Sequence, residues 1–226
     1  MFIDLTKWIS AATAPFPGDT PPQLTQETTV SEDGFATRTL TLPSHLGTHC
    51  DAPAHVLENG KKLDDYPLER FIGPAHLAVL PRLTARTPIS VEMLEPFEAL
   101  FTPHARVLLR TDWEQTAADT GADFFRDSPF LTTEAAQWIA RHRIGLLGSD
   151  MPTVDEFIAA LPAHHVLLGA DVLLLENLTN LEQLDQLAPL QEFRLMVLPL
   201  KVQDAEGAPV RAVAEWQNAE WQNSEW

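Results

Sequence analysis

Ser44-His45-Leu46-Gly47-Thr48-His49-Cys50-Asp51-Ala52-Pro53-Ala54-His55 is the stretch from which the rest of the chain is best read. It gathers three of the eight histidines and a carboxylate into eleven residues. Imidazole nitrogen and carboxylate oxygen are a common ligand set for zinc and related divalent ions. A straight helix would put His45 and His49 on one face but turn Asp51 roughly 160° away. A straight strand would put all four on one face, yet hold His45 and His49 about 13 Å apart. Neither serves a single ion. The backbone must bend, and Gly47 and Pro53 are the residues that permit a tight bend and a fixed turn. Cys50 alternates in direction with His49 and Asp51 and reads as packing, with thiolate ligation as the alternative.

A second cluster follows in Ala163-His164-His165-Val166-Leu167-Leu168-Gly169-Ala170-Asp171-Val172-Leu173-Leu174-Leu175-Glu176-Asn177-Leu178. Glu176 ends an apolar run, where a buried carboxylate is costly unless it is paired or bound to a metal. The alternative, from periodicity alone, is a solvated strand end at Glu176, with His164 and His165 as a surface pair.

Outward from these clusters, short β-type runs alternate with amphipathic stretches, the pattern of a mixed sheet covered by helices in an α/β fold. Residues 35–42 are rich in β-formers and follow Ser31-Glu32-Asp33-Gly34, so they read as one arm of a hairpin with residues 24–30. Further strands are expected at 75–80, 105–111, 144–148, 170–176 and 194–202. Helices are expected at 90–101 and at 133–142, the latter capped by Thr132 or Thr133. The segment Pro15-Phe16-Pro17-Gly18-Asp19-Thr20-Pro21-Pro22 excludes helix and central strand, because its prolines lack amide donors, and it reads as an ordered surface loop. One domain is expected over residues 1–213. A Trp-containing repeat at 214–226 stands apart from it as a tail, mobile or extraneous to the fold.

Composition narrows the class. Fifteen Lys and Arg stand against 32 Asp and Glu, and a formal charge of −17 opposes binding to nucleic acid or to anionic membrane surfaces. The longest apolar runs are far short of the ~20 residues that span a bilayer. A single cysteine and an amino terminus without a basic, apolar leader point to a soluble protein of the cytoplasm.

The pattern His-x-Gly-Thr-His-x-Asp-x-Pro-x-His resembles the signature of the metal-dependent cyclase family, which includes the bacterial kynurenine formamidases. Ile3-Asp4-Leu5 and Pro17-Gly18-Asp19-Thr20-Pro21 resemble its amino-terminal segment, and Gly148-Ser149-Asp150-Met151-Pro152 its central loop, so the likeness covers most of residues 2–202. It implies that His45, His49 and Asp51 bind metal, that His55 donates and accepts protons, and that a later histidine and glutamate complete the site. The family separates that later pair by twelve residues, which selects His164 over His165 as the partner of Glu176. Asp51 and Glu176 would then bridge two metals, zinc first and manganese as the alternative. The implied fold is a swivelling β/β/α domain, assembled as a homodimer or homotetramer. Phe16 stands where the formamidases carry tryptophan before Pro-Gly-Asp, and it keeps an aromatic platform for substrate. Around Met151 the formamidases more often carry threonine, and the stretch from Asp155 to His164 is shorter than theirs.

The activity that follows is cleavage of N-formyl-L-kynurenine to L-kynurenine and formate, a step of tryptophan catabolism, by metal-bound hydroxide attacking the formyl carbonyl. No Gly-x-Ser-x-Gly elbow supports a serine-hydrolase route. The alternatives are hydrolysis of a cyclic amide such as isatin, hydrolysis of a lactone, and a non-catalytic metal-binding protein, in which His55 would have no task.

Overall fold

The computed structural model describes residues 1–157, 160–187 and 192–216. Its strands are β1 (Phe2–Asp4), β2 (Gln23–Thr28), β3 (Thr37–Thr41), β4 (His49–Asp51), β5 (Ile72–Val79), β6 (Pro88–Ile89), β7 (Arg106–Arg110), β8 (Phe130–Leu131), β9 (Leu146–Ser149), β10 (Leu173–Glu176), β11 (Phe193–Pro199) and β12 (Gly207–Glu215). Its helices are α1 (Val30–Asp33), α2 (Val91–Leu94), α3 (Trp113–Thr120), α4 (Thr133–Arg141), α5 (Pro162–Gly169) and α6 (Leu181–Leu187).

The main sheet runs β12-β11-β5-β7-β9-β10-β4 and closes because β4 pairs with β12 as well as with β10. Among the described residues this is a closed ring of seven strands, with β1 added to β12. The half from β5 through β7 and β9 to β10 is parallel, and the return through β4, β12 and β11 is antiparallel. β12 makes the closure, since one of its edges pairs with β11 while the other meets β4 at residues 207–209 and β1 at 213–215. The expected α/β fold with a mixed sheet stands, but the sheet shuts into a barrel, with α4 and α5 packed on its outer face and Leu181 and Leu184 of α6 joining the inner core.

Two apolar cores follow from the two faces of the ring. The inner core takes alternate residues: Ala75 and Leu77 of β5, Leu108 of β7, Leu146 of β9, Leu173 and Leu175 of β10, and Ala208, Val210, Ala212 and Ala214 of β12. The outer core takes their neighbours, among them Ala78, Val107, Leu109, Leu147 and Leu174, and packs them against Ala135, Ala136 and Ile139 of α4 and Ala163, Leu167 and Leu168 of α5. A strand buried on both faces needs no polar alternation. This is why Val172-Leu173-Leu174-Leu175 reads as an unbroken apolar run.

The expected strands at 75–80, 105–111, 144–148, 170–176 and 194–202 each overlap an observed one, and the hairpin is β2 paired with β3. The helix expected at 90–101 is α-helical only through Leu94, after which Pro96 has no amide to donate and Glu95–Leu100 continues as a tighter 3-10 turn. β12 went unforeseen, because Gly207-Ala208-Pro209 and its alanines lack β-branched and aromatic character. It carries the sheet to Glu215, two residues into the stretch expected to be tail, and residues 217–226 lie outside the described residues. Among the described residues no helix is long and apolar enough to cross a membrane.

At the start of α4 the Thr132 hydroxyl accepts a hydrogen bond from the Ala135 amide at 3.1 Å. Thr132→Ala should cost about 1 kcal/mol by leaving that amide without a cap. Urea denaturation of the two proteins checks it, and an unchanged midpoint at unchanged slope would remove the cap from the account.

Candidate metal centre

Three of the six candidate residues are placed by strand register alone. In β4, His49 and Asp51 lie two apart and therefore on one face, while Cys50 points the other way. β10 pairs His49 with Glu176 and Cys50 with Leu175. Directly paired residues share a face, so Glu176 joins His49 and Asp51 on the outer side of the barrel, and Cys50 is fully buried in the inner core with Leu175 and Ala208.

His45 arrives through the bend that the motif requires. Gly47 adopts φ 62°, a left-handed conformation that other residues enter at a cost, and its carbonyl accepts from His49 Nδ1 at 2.8 Å. The His45 ring then lies 5.2 Å from the His49 ring, and its Nδ1 donates to Asp51 Oδ1 at 2.7 Å. The space it fills exists because residue 207, opposite Asp51, is glycine: a Cβ there would come within 2.5 Å of the His45 ring. After β4, Pro53 opens a single 3-10 turn ending at His55, whose ring stands 4.0 Å from that of His45 and 5.5 Å from that of His164.

His164 comes from the first turn of α5. The helix descends against the sheet, Asp171 turns the chain with φ 64°, and β10 climbs back to Glu176. The helical steps from His164 to Gly169 span about 7.5 Å and the extended steps from Leu173 to Glu176 about 10 Å, so a twelve-residue separation returns the chain to the same end of the layer. His164 is buried, with Nε2 3.4 Å from Glu176 Oε1 and 3.6 Å from Asp51 Oδ2. His165 is exposed and takes no part. Asp155, only 1% exposed, holds the helix start: its oxygens accept from the amides of Ala163 and His164 and, at 2.6 Å, from His164 Nδ1. The proton on Nδ1 leaves Nε2 facing the two carboxylates.

The charges in this cluster do not balance internally. Burial raises the Glu176 carboxyl, and the neighbouring Asp51 charge raises it further, against a partial offset from His164. Burial would raise Asp51 as well, but the surrounding imidazoles of His49, His45 and His164 hold it well below the usual carboxylate range. Burial opposes charge on His45 and His164 too. Asp51 nevertheless lifts His45 to about 9, and Asp155 with Asp51 lifts His164 to about 10. His49 and His55 move the other way, chiefly through burial, and His55 falls to about 4. His49 Nε2, its other nitrogen engaged by Gly47, faces Asp51 Oδ1 at 3.4 Å and Glu176 Oε2 at 3.5 Å, so three acceptors converge. Asp51 Oδ2 and His45 Nε2 are buried without a hydrogen-bond partner. An unpartnered carboxylate oxygen, and an imidazole nitrogen that becomes a donor atom once it gives up its proton, are what a divalent cation satisfies, and the ligand set fits one. Ligand atoms of His45, Asp51 and His55, and of His49, Asp51 and Glu176, lie within 4.8 Å of one another in two overlapping groups.

Over the cluster opens a cavity of about 300 Å³ with Phe16, Phe125, Pro152 and Leu161 among its walls. The Phe16 ring meets Phe125 edge-on at 5.7 Å and Phe157 at the same distance. Sequence reasoning named Phe16, His45, His49, Asp51, His55, His164 and Glu176, and the structure brings all seven to this cavity. It missed Asp155, Phe125 and Gly207. An isolated aspartate, an aromatic in a loop and a glycine in an unforeseen strand carry no local pattern, although Asp155 nine residues before His164 beside a helix start was a usable hint.

Comparison with known proteins finds relatives over most of the chain. The sequence model of the Cyclase family matches residues 3–156. The chain is 34% identical over 217 residues to the kynurenine formamidase of Salinibacter ruber, spanning 93% of this chain and 95% of that one. It is 34% identical over 215 residues to the kynurenine formamidase of Bacillus thuringiensis, spanning 94% and 96%. Among solved structures, isatin hydrolase A from Labrenzia aggregata, bound to benzyl benzoate, superposes with a TM-score of 0.80 at 25% identity, covering 95% of this chain and 93% of that one.

Metal uptake should release protons, because ligation needs His45 and His164 neutral and Glu176 ionised, whereas in the metal-free protein all three hold protons at neutral pH. Apparent affinity should therefore climb as pH rises toward about 9. Calorimetric zinc titrations near pH 7 in buffers of different ionisation heat measure the release, and heats independent of buffer would contradict it. Asp155→Ala should weaken zinc binding about 10- to 100-fold through loss of the His164 orientation. His165→Ala should leave it nearly intact, and equal losses in the two variants would reverse the assignment.

Proposed function

The chain belongs to the cyclase family, and on that premise we propose that it is a metal-dependent amide hydrolase that cleaves N-formyl-L-kynurenine to L-kynurenine and formate. The observation that carries this reading is the convergence of three imidazoles and two buried carboxylates, with His55 beside them, beneath an aromatic-walled cavity. Near-full-length likeness to kynurenine formamidases supplies the substrate.

In this reading His45, His49 and Asp51 would hold one divalent ion, zinc first, and His164 with Glu176 would offer ligands for a second. The carboxylate oxygens support the division: Asp51 Oδ1 and Glu176 Oε2 face His49, while Asp51 Oδ2 and Glu176 Oε1 face His164. Manganese suits the same donors. A divalent ion so held supplies an electrophile for the formyl oxygen and lowers the pKa of a bound water toward about 7.

The chain's own groups do the rest. Phe16 and Phe125 take the substrate's aryl ring, and the apolar walls thin the water around the formamide. His55, kept neutral at physiological pH, has a ring nitrogen able to accept a proton from the attacking water. It returns that proton to the departing anilide nitrogen, which leaves poorly as an anion. The reading extends to a single cyclase-like domain of the swivelling β/β/α type, its expected end at residue 213 moved to take in β12 through Glu215, in a cytoplasmic homodimer or homotetramer.

Likeness to isatin hydrolase supports a second reading, ring opening of a cyclic amide by the same attack. A panel of N-formyl-L-kynurenine, simple formanilides, isatin and lactones, run with zinc and with manganese, separates the two. Turnover confined to isatin or lactones would displace the formamidase reading.

His55→Ala should keep its metal and lose about 10²–10⁴-fold in turnover on a formanilide. The loss should be smaller on a matched formate ester, whose leaving group needs less protonation. Metal analysis with turnover on both substrates tests this: equal losses would remove His55 from the leaving-group step, and loss of metal would make it a ligand beside His45 and Asp51.

A further inference from the structure

Phe16-Pro17-Gly18-Asp19 is a tight turn. The Asp19 amide donates to the Phe16 carbonyl at 2.9 Å, Pro17 occupies the second position, and Gly18 takes φ 111° at the third, where a positive angle is required. The turn fixes a carboxylate at a set distance from the ring that walls the substrate cavity. Asp19 also lines a second cavity of about 420 Å³, bounded by Thr20, Pro21 and residues 41–44. His45 lines both, so the two cavities meet along a ridge formed by Asp19 and His45.

On that ridge the His45 ring is turned to Asp51 through Nδ1, which leaves the Asp19 carboxylate as the charge that faces the second cavity. Neither cavity is lined by Lys or Arg. The other carboxylate nearby, Glu206, is engaged, accepting from Ser44 Oγ at 2.6 Å. Among the described residues nothing hydrogen-bonds the Asp19 carboxylate. A ligand that reaches from the aromatic cavity across the ridge thus meets an acceptor with unused capacity and no lysine or arginine to receive an anion.

We propose that the second cavity receives the ortho side chain of the substrate and that Asp19 selects it by pairing with its ammonium group, an inference that rests on the formamidase reading above. The ring lies against Phe16, the formamide points to the metal centre, and the 2-amino acid tail passes over Asp19 between Thr20 and Ser44. Its carboxylate faces solvent. The chain thereby discriminates in favour of zwitterionic amino-acid formanilides and against anionic ones.

The test compares kcat/KM of the metal-loaded enzyme and of Asp19→Asn on three substrates. These are N-formyl-L-kynurenine, the truncated N-formyl-2-aminoacetophenone, and the desamino analogue, which keeps the tail's carboxylate alone. The preference for N-formyl-L-kynurenine over the truncated substrate should fall about 10-fold in the variant, in KM more than kcat, from loss of one charge-assisted hydrogen bond. The desamino analogue should improve in the variant as the repulsion goes. An unchanged preference, or equal losses on all three substrates, overturns the proposal. Calorimetric binding of L-kynurenine reads the same subsite without turnover: weaker binding to Asp19→Asn supports it, and equal binding overturns it. If the native enzyme hydrolyses no formanilide the activity reading fails, and the binding measurement still decides the role of Asp19.

Discussion

Three residues, His49 to Asp51, are hydrogen-bonded along both edges at once, to β10 on one side and to β12 on the other. This double pairing closes the barrel, and it leaves the segment no freedom of register. A slip of one residue would send His49 and Asp51 into the apolar interior and bring Cys50 to the outer face. The inner core, with Cys50 between Leu175 and Ala208, forbids that exchange. The placement of the candidate metal ligands is thus enforced by hydrophobic burial on the opposite face of the same strand.

The site that results sits at the end of the apolar layer between the barrel and α5, and its position is electrostatically expensive. Two carboxylates lie buried within reach of one another, and no lysine or arginine is among the residues lining the cavity above them. Like charges so placed drive one group to stay neutral unless a cation is supplied. The protein meets the cost in part with protonated imidazoles at His45 and His164, and it spends structure on aiming them: Gly47 and Asp155 orient rings, and Gly207 leaves room for one. A surface that was merely acidic would show none of these devices.

The aromatic cavity depends on the same framework through its loops. Phe16 stands on a proline-glycine turn, Phe125 follows α3, and Leu161 stands at φ 54° immediately before α5. None of these belongs to the closed sheet. The chemistry is therefore held by strands and a helix, and the walls that choose a substrate by loops, which tolerate change without disturbing the ligands.

What the sequence determined by itself was the set of chemical groups and much of the local framework. His45, His49, Asp51 and His55 were legible because they fall in one short segment, and the bend at Gly47 followed from the reach of a strand. The doubly buried strands were legible as apolar runs. The twelve-residue spacing chose His164 over His165, though it required likeness to a family to carry weight. Tertiary structure alone decided that the sheet closes, because closure rests on β12, whose small residues have weak strand propensity and become a strand only when two edges stand ready to pair with them. It alone decided that Asp155, Phe125 and Gly207 belong to the site. Each acts through a neighbour distant in sequence or on a separate element, a hydrogen bond to one ring, contact with another, and space left for a third, and such relations leave no periodic or local trace in the chain.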